Sequence, residues 1–127
     1  MLERISPEGA PKPLGPYSPV VRAGDFIYLA GQGPLDAATN RLLEADIEAE
    51  TRLTLTNIKT ILKGLGLGLR DVVRVGVFLR DGADFAKMNE VYAEFFGNDK
   101  PARTTIVCSF AQPIRAEIDC VAYQPAR

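Results

Sequence analysis

The sequence predicts a single α+β domain, in which two helices cover one face of a mixed sheet of about six strands. Its 127 residues are 46% hydrophobic and 24% charged, a balance that suits one domain with one core. Two segments repeat apolar residues at helical spacing, and the others alternate as strands do, in the order β, ββ, α, β, α, ββ. Two amphipathic helices with one buried stripe each can cover one face of such a sheet.

The N-terminal part is predicted to hold three strands around a proline-rich loop. Residues 2–6 suit a first strand, and five prolines within residues 7–19 make the following stretch an extended loop. Residues 20–30 alternate around the turn at residues 24–25, Gly-Asp, which is a hairpin signal. Residues 31–34, Gly-Gln-Gly-Pro, are expected to end the second strand of this hairpin.

The middle of the chain predicts a helix, a strand and a second helix. The first helix spans residues 46–63 with Asp46 as its N-cap, and the second spans residues 84–96 and stops at Gly97. Between them, residues 71–80 are rich in valine and suit a central strand. The apolar face of this strand is predicted to hold Val73, Val75, Val77 and Leu79.

Residues 101–119 are interpreted as two strands joined by a short turn near Gln112. Alternation places Arg103 and Glu117 on one face, and in a hairpin with this turn the two are diagonal neighbours within reach of each other. Taken alone, such a pair is more often a surface ion pair of small energetic value. The alternative is a site in which Arg103 holds a carboxylate and Glu117, its pKa lowered by the arginine, takes a proton from water.

Composition excludes several classes of function. The chain has no histidine, which removes imidazole catalysis and histidine metal ligands, and its two cysteines are too few for a structural zinc site. Cys108 would face residues 114–116, so a disulfide to Cys120 is not expected. Net charge is −1, which is unlike a nucleic-acid binder, and no stretch is long and apolar enough for a membrane span. The chain is therefore expected to be a cytoplasmic protein with no nucleic-acid or membrane partner.

One face of the predicted sheet is left without a helix to cover it. That face is expected to carry Phe78, Val107 and Val121 beside charged residues. A small protein seldom leaves such a face bare, so association between copies of the chain is the expected remedy.

Several separate segments of the chain resemble the Rid family, also called YjgF or L-PSP, the reactive-intermediate imine deaminases. The resemblance extends from Gly15 to about Tyr123. The matching segments are G-P-Y-S at 15–18, A-G-Q at 30–32, D-I-E-A-E-T-R at 46–52, D-V-V-R-V-G-V-F-L-R-D at 71–81, D-F-A-K-M-N-E-V-Y-A-E-F-F at 84–96, P-A-R-T-T at 101–105 and A-E-I-D at 116–119. The P-A-R segment followed by E-I-D is the most specific part.

The resemblance implies a chorismate-mutase-like fold, assembled as a homotrimer with sites between subunits. It implies hydrolysis of small 2-imino acids, such as 2-iminobutanoate and 2-iminopropanoate, to 2-oxo acids and ammonia without a cofactor. By motif, Arg103 holds the substrate carboxylate and Glu117 positions or activates water. Tyr17, Gly31 and Asn89 match residues that line the cleft.

Two departures from the family pattern bear on the site. Ala30 stands where many members have serine, and Thr105 stands where many have cysteine, although its hydroxyl can still contact substrate or water. Judged by residue type alone, Tyr17, Asn89 and Thr105 are more often packing or surface residues than site residues. Three other functions remain open: a non-catalytic carboxylate-binding regulator, a ribonuclease or translation inhibitor, and a different reaction on the same scaffold.

Overall fold

The computed structural model describes residues 2–125, which form a six-stranded mixed sheet with two helices, as predicted. The elements in chain order are β1 (Leu2–Ile5), β2 (Val20–Ala23), β3 (Phe26–Gln32), β4 (Leu35–Asp36), β5 (Arg41–Leu42), α1 (Ile47–Gly64), β6 (Val72–Leu79), α2 (Phe85–Phe96), β7 (Ala102–Val107) and β8 (Ala116–Tyr123). Strands β4 and β5 pair only with each other, and the main sheet has the order β1-β2-β3-β8-β6-β7. Within it β6 and β7 are parallel, and every other neighbouring pair is antiparallel.

Both helices have the predicted extent, and their ends follow from local chemistry. The Asp46 carboxylate accepts a hydrogen bond from the Ala49 N–H at 2.8 Å, which satisfies one of the free donors of the first turn of α1. Helix α2 ends at Gly97, whose φ of 56° lies in the left-handed region. Asp84 does not cap α2 through its side chain, and its carboxylate lies 3.6 Å from the Arg115 guanidinium instead.

The prediction of a hairpin between residues 101 and 119 is wrong, because β7 and β8 do not pair. Strand β6 lies between them, parallel to β7 on one edge and antiparallel to β8 on the other. The segment between β7 and β8 passes around the end of β6, where the Cys108 N–H donates to the Leu79 carbonyl at 2.9 Å. In this arrangement the backbone of the valine-rich strand β6 forms hydrogen bonds along both of its edges. The unit β6-α2-β7 is a parallel crossover connection.

This topology places Arg103 and Glu117 on opposite faces of the sheet. Arg103 is level with Val75, which is fully buried beneath the helices. Glu117 is level with Phe78, three residues further along β6 and therefore on the opposite face, away from the helices. Within one chain the two side chains form neither a surface ion pair nor a shared site.

Two irregularities in strand pairing shift side chains from the faces that strict alternation predicts. In β3 the register shifts between Leu29 and Gln32, so both of these side chains are buried on the helix side although they are three residues apart. The strand therefore continues through Gly31, where the sequence predicted a break. A second shift in β6 leaves Val73 42% exposed, which corrects its predicted place on the buried face beside Val75.

The sheet face without helices is partly apolar, as expected. It exposes Tyr28 and Ile106, and Phe26 and Tyr123 stack on it with ring centroids 5.4 Å apart. Val107 does not belong to this face, because it is level with Leu79 of the buried face and lies beyond the cover of the helices. Within residues 2–125 no helix has the length and apolar character that crossing a membrane requires.

Both cysteines are free thiols. Cys120 is buried on the helix side of β8, and burial together with the Asp119 carboxylate raises the pKa of its thiol to about 12. It is therefore a small apolar side chain of the core and not a nucleophile. Cys108 follows β7 and is partly exposed.

Candidate functional site

The six candidate residues divide into two groups on opposite faces of the sheet. The first group, which we term the Arg103 half-site, consists of Arg103 and Thr105 on β7 and Asn89 on α2. The second group, the Glu117 half-site, consists of Tyr17, Gly31 and Glu117, and all three line one cavity.

The Arg103 half-site forms where one face of α2 packs beside β7. Phe85, Asn89 and Tyr92 are spaced by four and three residues, so they follow one another along that face. The carbon at the centre of the Arg103 guanidinium lies 4.7 Å from the ring centroid of Tyr92 and 5.8 Å from that of Phe85. Among residues 2–125 Arg103 forms no ion pair, so aromatic faces and not a carboxylate surround its charge.

Two buried polar atoms beside Arg103, Asn89 Oδ1 and Thr105 Oγ1, have no hydrogen-bond partner among the described residues. Leaving such an atom unpaired costs about 1–3 kcal/mol each, and proteins carry such a cost mostly where a ligand, water or another chain completes the bonding. The Tyr92 hydroxyl interacts with the Arg103 guanidinium. Burial raises the pKa of Tyr92, an effect that the nearby guanidinium partly offsets, so the phenol keeps its proton at neutral pH.

The Glu117 half-site is a cavity of about 230 Å³ between the proline-rich loop and the end of β3. Tyr17 is half exposed at its wall, and Glu117 is half buried. The remaining wall is largely apolar and includes Pro13, Leu35 and Ile114.

Gly31 permits the Glu117 carboxyl group to lie against the β3 backbone. A Cβ atom at position 31 would be 2.8 Å from the Glu117 carboxyl carbon, closer than real side chains approach. The φ angle of Gly31 is not in the left-handed region, so the glycine is needed for this close approach and not for its backbone conformation. The pairing of β3 is irregular at this point, so that two residues, Ala30 and Gly31, face the single residue Asp119 of β8, and Gly31 lies beside Glu117.

The charge environment of Glu117 differs from the prediction. Burial, and secondly the Asp119 carboxylate, raise the pKa of Glu117, whereas the sequence led us to expect an arginine that lowers it. Asp119 is held in place by the Gly76 N–H, which donates to it at 3.1 Å, and a Cβ at position 76 would be 2.4 Å from the same oxygen. A carboxylate with a raised pKa is a stronger base than an ordinary glutamate, which suits it to accepting a proton from water.

Two buried polar residues that the sequence analysis did not identify support the cavity. The Asn57 amide donates to the Leu35 carbonyl at 2.7 Å, and Leu35 lines the cavity. Glu50 is 1% exposed and accepts hydrogen bonds from the Arg115 N–H at 2.9 Å and the Ala45 N–H at 3.1 Å. In the sequence, Glu50 and Asn57 are polar residues at positions of the otherwise apolar stripe of α1, and this pattern indicates buried polar side chains.

The described residues can hold an anion at one half-site and a water molecule beside a carboxyl group at the other. Within residues 2–125 no three Cys, Asp or Glu side chains are grouped as ligands of a metal ion. Because the two half-sites lie on opposite faces of the sheet, they do not form one site within a single chain.

Comparison with known proteins agrees with both the fold and the resemblance. The family model Endoribonuclease L-PSP matches residues 7–124. A RutC family protein of Pyrococcus horikoshii is 49% identical over 98% of this chain and 99% of its own length. A 3-aminoacrylate deaminase, RutC, of Acinetobacter baylyi is 41% identical over 87% of this chain and 88% of its own.

A further relative and a solved structure extend this comparison. The relative is a 2-iminobutanoate/2-iminopropanoate deaminase of Dermatophagoides farinae, 37% identical over 92% of both chains. The structure is that of Escherichia coli TdcF with bound serine, which superimposes with a TM-score of 0.89 at 32% identity and covers 96% of this chain and 98% of that chain. The fold is thus the one that these proteins share, and the chain belongs to the Rid/YjgF/L-PSP family.

Proposed function

We propose that the protein hydrolyses small 2-imino acids to 2-oxo acids and ammonia, at sites that form between two copies of the chain. The observation that carries the proposal is the pair of incomplete half-sites. One presents a guanidinium with no carboxylate partner among the described residues of its own chain, and the other presents a half-buried glutamate with a raised pKa in an open cavity. Two relatives are named deaminases of such compounds, which supports the same chemistry here.

In the proposed reaction Arg103 binds the substrate carboxylate through two parallel hydrogen bonds, which orients the C=N bond toward Glu117. Water held by Glu117 adds to the imine carbon while Glu117 takes a proton from it. Glu117 returns that proton to nitrogen, which gives the neutral carbinolamine. Transfer of the carbinolamine hydroxyl proton to nitrogen, again through Glu117, then lets the C–N bond break as the C=O bond forms, which releases ammonia and the 2-oxo acid. One molecule of water is consumed for each imine, and no cofactor takes part.

The proposed assembly is a homotrimer in which the Arg103 half-site of one subunit adjoins the Glu117 half-site of the next. The apolar sheet face without helices supports the association of copies, since exposed aromatic residues such as Tyr28 and Phe26 favour burial. A closed ring of three identical interfaces would form three equivalent sites.

Turnover of imine generated in the assay tests this proposal. A serine dehydratase or an amino acid oxidase supplies the imine, and semicarbazide competes with the protein to trap it. The protein should raise the rate of 2-oxo acid formation and lower the yield of semicarbazone, and Arg103→Ala should abolish both effects. If wild-type protein changes neither quantity, the deaminase proposal is wrong, and tight binding of 2-oxo acid without turnover would indicate a carboxylate-binding regulator instead.

Ribonuclease activity, which the name of the family model suggests, has less support. The net charge is −1 and the chain has no histidine to act as an acid or base. Titration with single-stranded RNA at low and physiological salt tests this function, and binding that survives physiological salt would favour it.

A further inference from the structure

We propose that Phe85 and Tyr92 form an aromatic shelf that positions the Arg103 guanidinium, and that Tyr92 thereby determines how tightly the site holds a carboxylate. The inference rests on the proposed function and deepens it. It adds Tyr92 to the site. The spacing of Tyr92 along α2 is that of a core residue and by itself indicates no role in binding.

The position of the guanidinium relative to the two rings is the first argument. Phe85 and Tyr92 lie seven residues apart, two turns along the same face of α2, and both ring centroids lie within 6 Å of the Arg103 guanidinium carbon. Tyr92 is 5% exposed and packs against Phe96 at a centroid distance of 4.5 Å, so its ring is held firmly beneath Arg103.

The guanidinium of Arg103 has no carboxylate partner within residues 2–125, whereas Arg115 lies within 4 Å of both Glu50 and Asp84. Exposed arginines such as Arg41 and Arg70 also form no ion pair there, so what distinguishes Arg103 is its contact with two rings. Contact with ring faces orients a planar guanidinium without using up the N–H donors at its edge, which therefore stay available for an incoming carboxylate.

Unpaired polar atoms adjoin the shelf. Within residues 2–125, Asn89 Oδ1 and Thr105 Oγ1 are buried without a hydrogen-bond partner. A fully formed core would satisfy these atoms, so the shelf belongs to a site that a ligand or a second chain completes. This separates Tyr92 from an ordinary core tyrosine.

The test measures KM and kcat of Tyr92→Leu with a 2-imino acid. The carboxylate is bonded to the reacting carbon but keeps its charge throughout the reaction, so its ion pair with Arg103 contributes about equally to ground state and transition state. KM should therefore rise about 5- to 30-fold, and kcat should change less than KM does. Tyr92→Phe keeps the ring and should change KM by less than about 3-fold. Phe85→Leu replaces a 46% exposed ring, which does not endanger folding, and should raise KM about 2- to 5-fold.

Phe95→Leu is the matched control. Phe95 lies on the same helix and contacts the cations of Arg52 and Lys59 at 5.8 Å, outside both half-sites. A shelf predicts no change in KM for this variant. Equal effects of Phe95→Leu and Tyr92→Leu would overturn the inference, as would a fall in kcat with KM unchanged in Tyr92→Leu.

A second readout avoids turnover. Calorimetric titration with 2-oxobutanoate and with its neutral amide should show that Tyr92→Leu loses affinity for the acid but not for the amide. Loss of affinity for both ligands, or for neither, would contradict the shelf. If wild-type protein neither turns over imine nor binds 2-oxobutanoate, the proposed function itself is wrong. If wild-type protein is active and the Tyr92→Leu variant behaves in the same way, only the shelf is wrong.

Discussion

Gly31 connects a backbone position to the chemistry of Glu117. A methyl group at this position would be 2.8–3.1 Å from three atoms of the glutamate side chain, which is flexible and can move away. We therefore expect the free energy of unfolding of Gly31→Ala to lie within about 1 kcal/mol of the wild-type value. Its kcat/KM should fall about 10- to 100-fold, because the carboxyl group is displaced from its position. Urea denaturation and steady-state kinetics measure the two effects, and an active Gly31→Ala variant would show that the position of Glu117 is unimportant.

The Asp119 carboxylate should set the pH at which activity begins. If Glu117 acts as a base, the rate falls as pH falls through its pKa, which burial and then Asp119 raise above the ordinary 4.5. Asp119→Asn keeps an oxygen for the Gly76 N–H but removes the charge, so the pKa of Glu117 falls and the acidic limb of kcat/KM moves to lower pH.

The matched control for this prediction is Asp71→Asn. That carboxylate accepts a hydrogen bond from the Gly68 N–H at 2.8 Å, away from both half-sites. Its replacement should leave the acidic limb in place. A limb that shifts equally in both variants, or in neither, would mean that Asp119 does not tune Glu117.

The candidate residues of the site were easier to identify in the sequence than the surroundings in which the fold places them. Arg103 and Glu117 stand in short segments of distinctive composition, P-A-R and E-I-D, and Thr105 shares the face of Arg103 as alternation predicts. Tyr92 is spaced like the core residues of α2, so nothing in the spacing separates its ring from the rest of the stripe. The raised pKa of Glu117 depends on burial and on which strands adjoin, and neither is a local property.

At the scale of elements, Glu50 joins helix α1 to the strand that carries Glu117. It accepts hydrogen bonds from the backbone N–H groups of Ala45 and Arg115, and Arg115 lies two residues before Glu117. Glu50→Ala leaves both donors without their partner, so we expect a loss of about 2–4 kcal/mol in the free energy of unfolding. Chemical denaturation measures this loss.

Glu48→Ala is the control for Glu50→Ala. Both glutamates lie in the first turn of α1, but only Glu50 is among the buried residues of the helix. The Glu48 side chain is only partly buried, so its substitution should change the free energy of unfolding by less than about 1 kcal/mol. Similar losses in the two variants would show that the buried hydrogen bonds of Glu50 contribute little.

Elements were predicted well where their signals are local. Asp46, Gly97 and the turn at residues 24–25 mark ends and turns by the chemistry of one or two residues, and the structure has them at those positions. The shift of register in β6 was not predictable in this way. Val72 takes the buried position expected for Val73, because one residue of β6 is skipped in the pairing with β8. Since β8 lies more than forty residues further along the chain, local sequence does not reveal this shift.

At the scale of the whole molecule, the fold class followed from the order of elements but the strand order did not. Residues 101–119 contain two good strands, and sequence proximity favours pairing them. The Ala-Gln-Pro segment between them lacks the Asn-Gly or Asp-Gly signal of a tight hairpin, and β6 offers both of its edges. Insertion of β6 between β7 and β8 separates Arg103 from Glu117 and turns one predicted site into two half-sites.

Separated half-sites make a sharp prediction about mixed assemblies. Arg103→Ala and Glu117→Gln chains, each inactive alone, carry different affinity tags and are co-expressed, and mixed trimers are purified through both tags. In a cyclic trimer of either mixed composition, one junction of the three joins an intact Arg103 half-site to an intact Glu117 half-site, so activity should return to about one third of wild type. Arg103→Ala chains carrying both tags are the control and should stay inactive. Mixed trimers without activity would place both residues of each site in one subunit, which the opposite orientation of the two side chains on the sheet argues against.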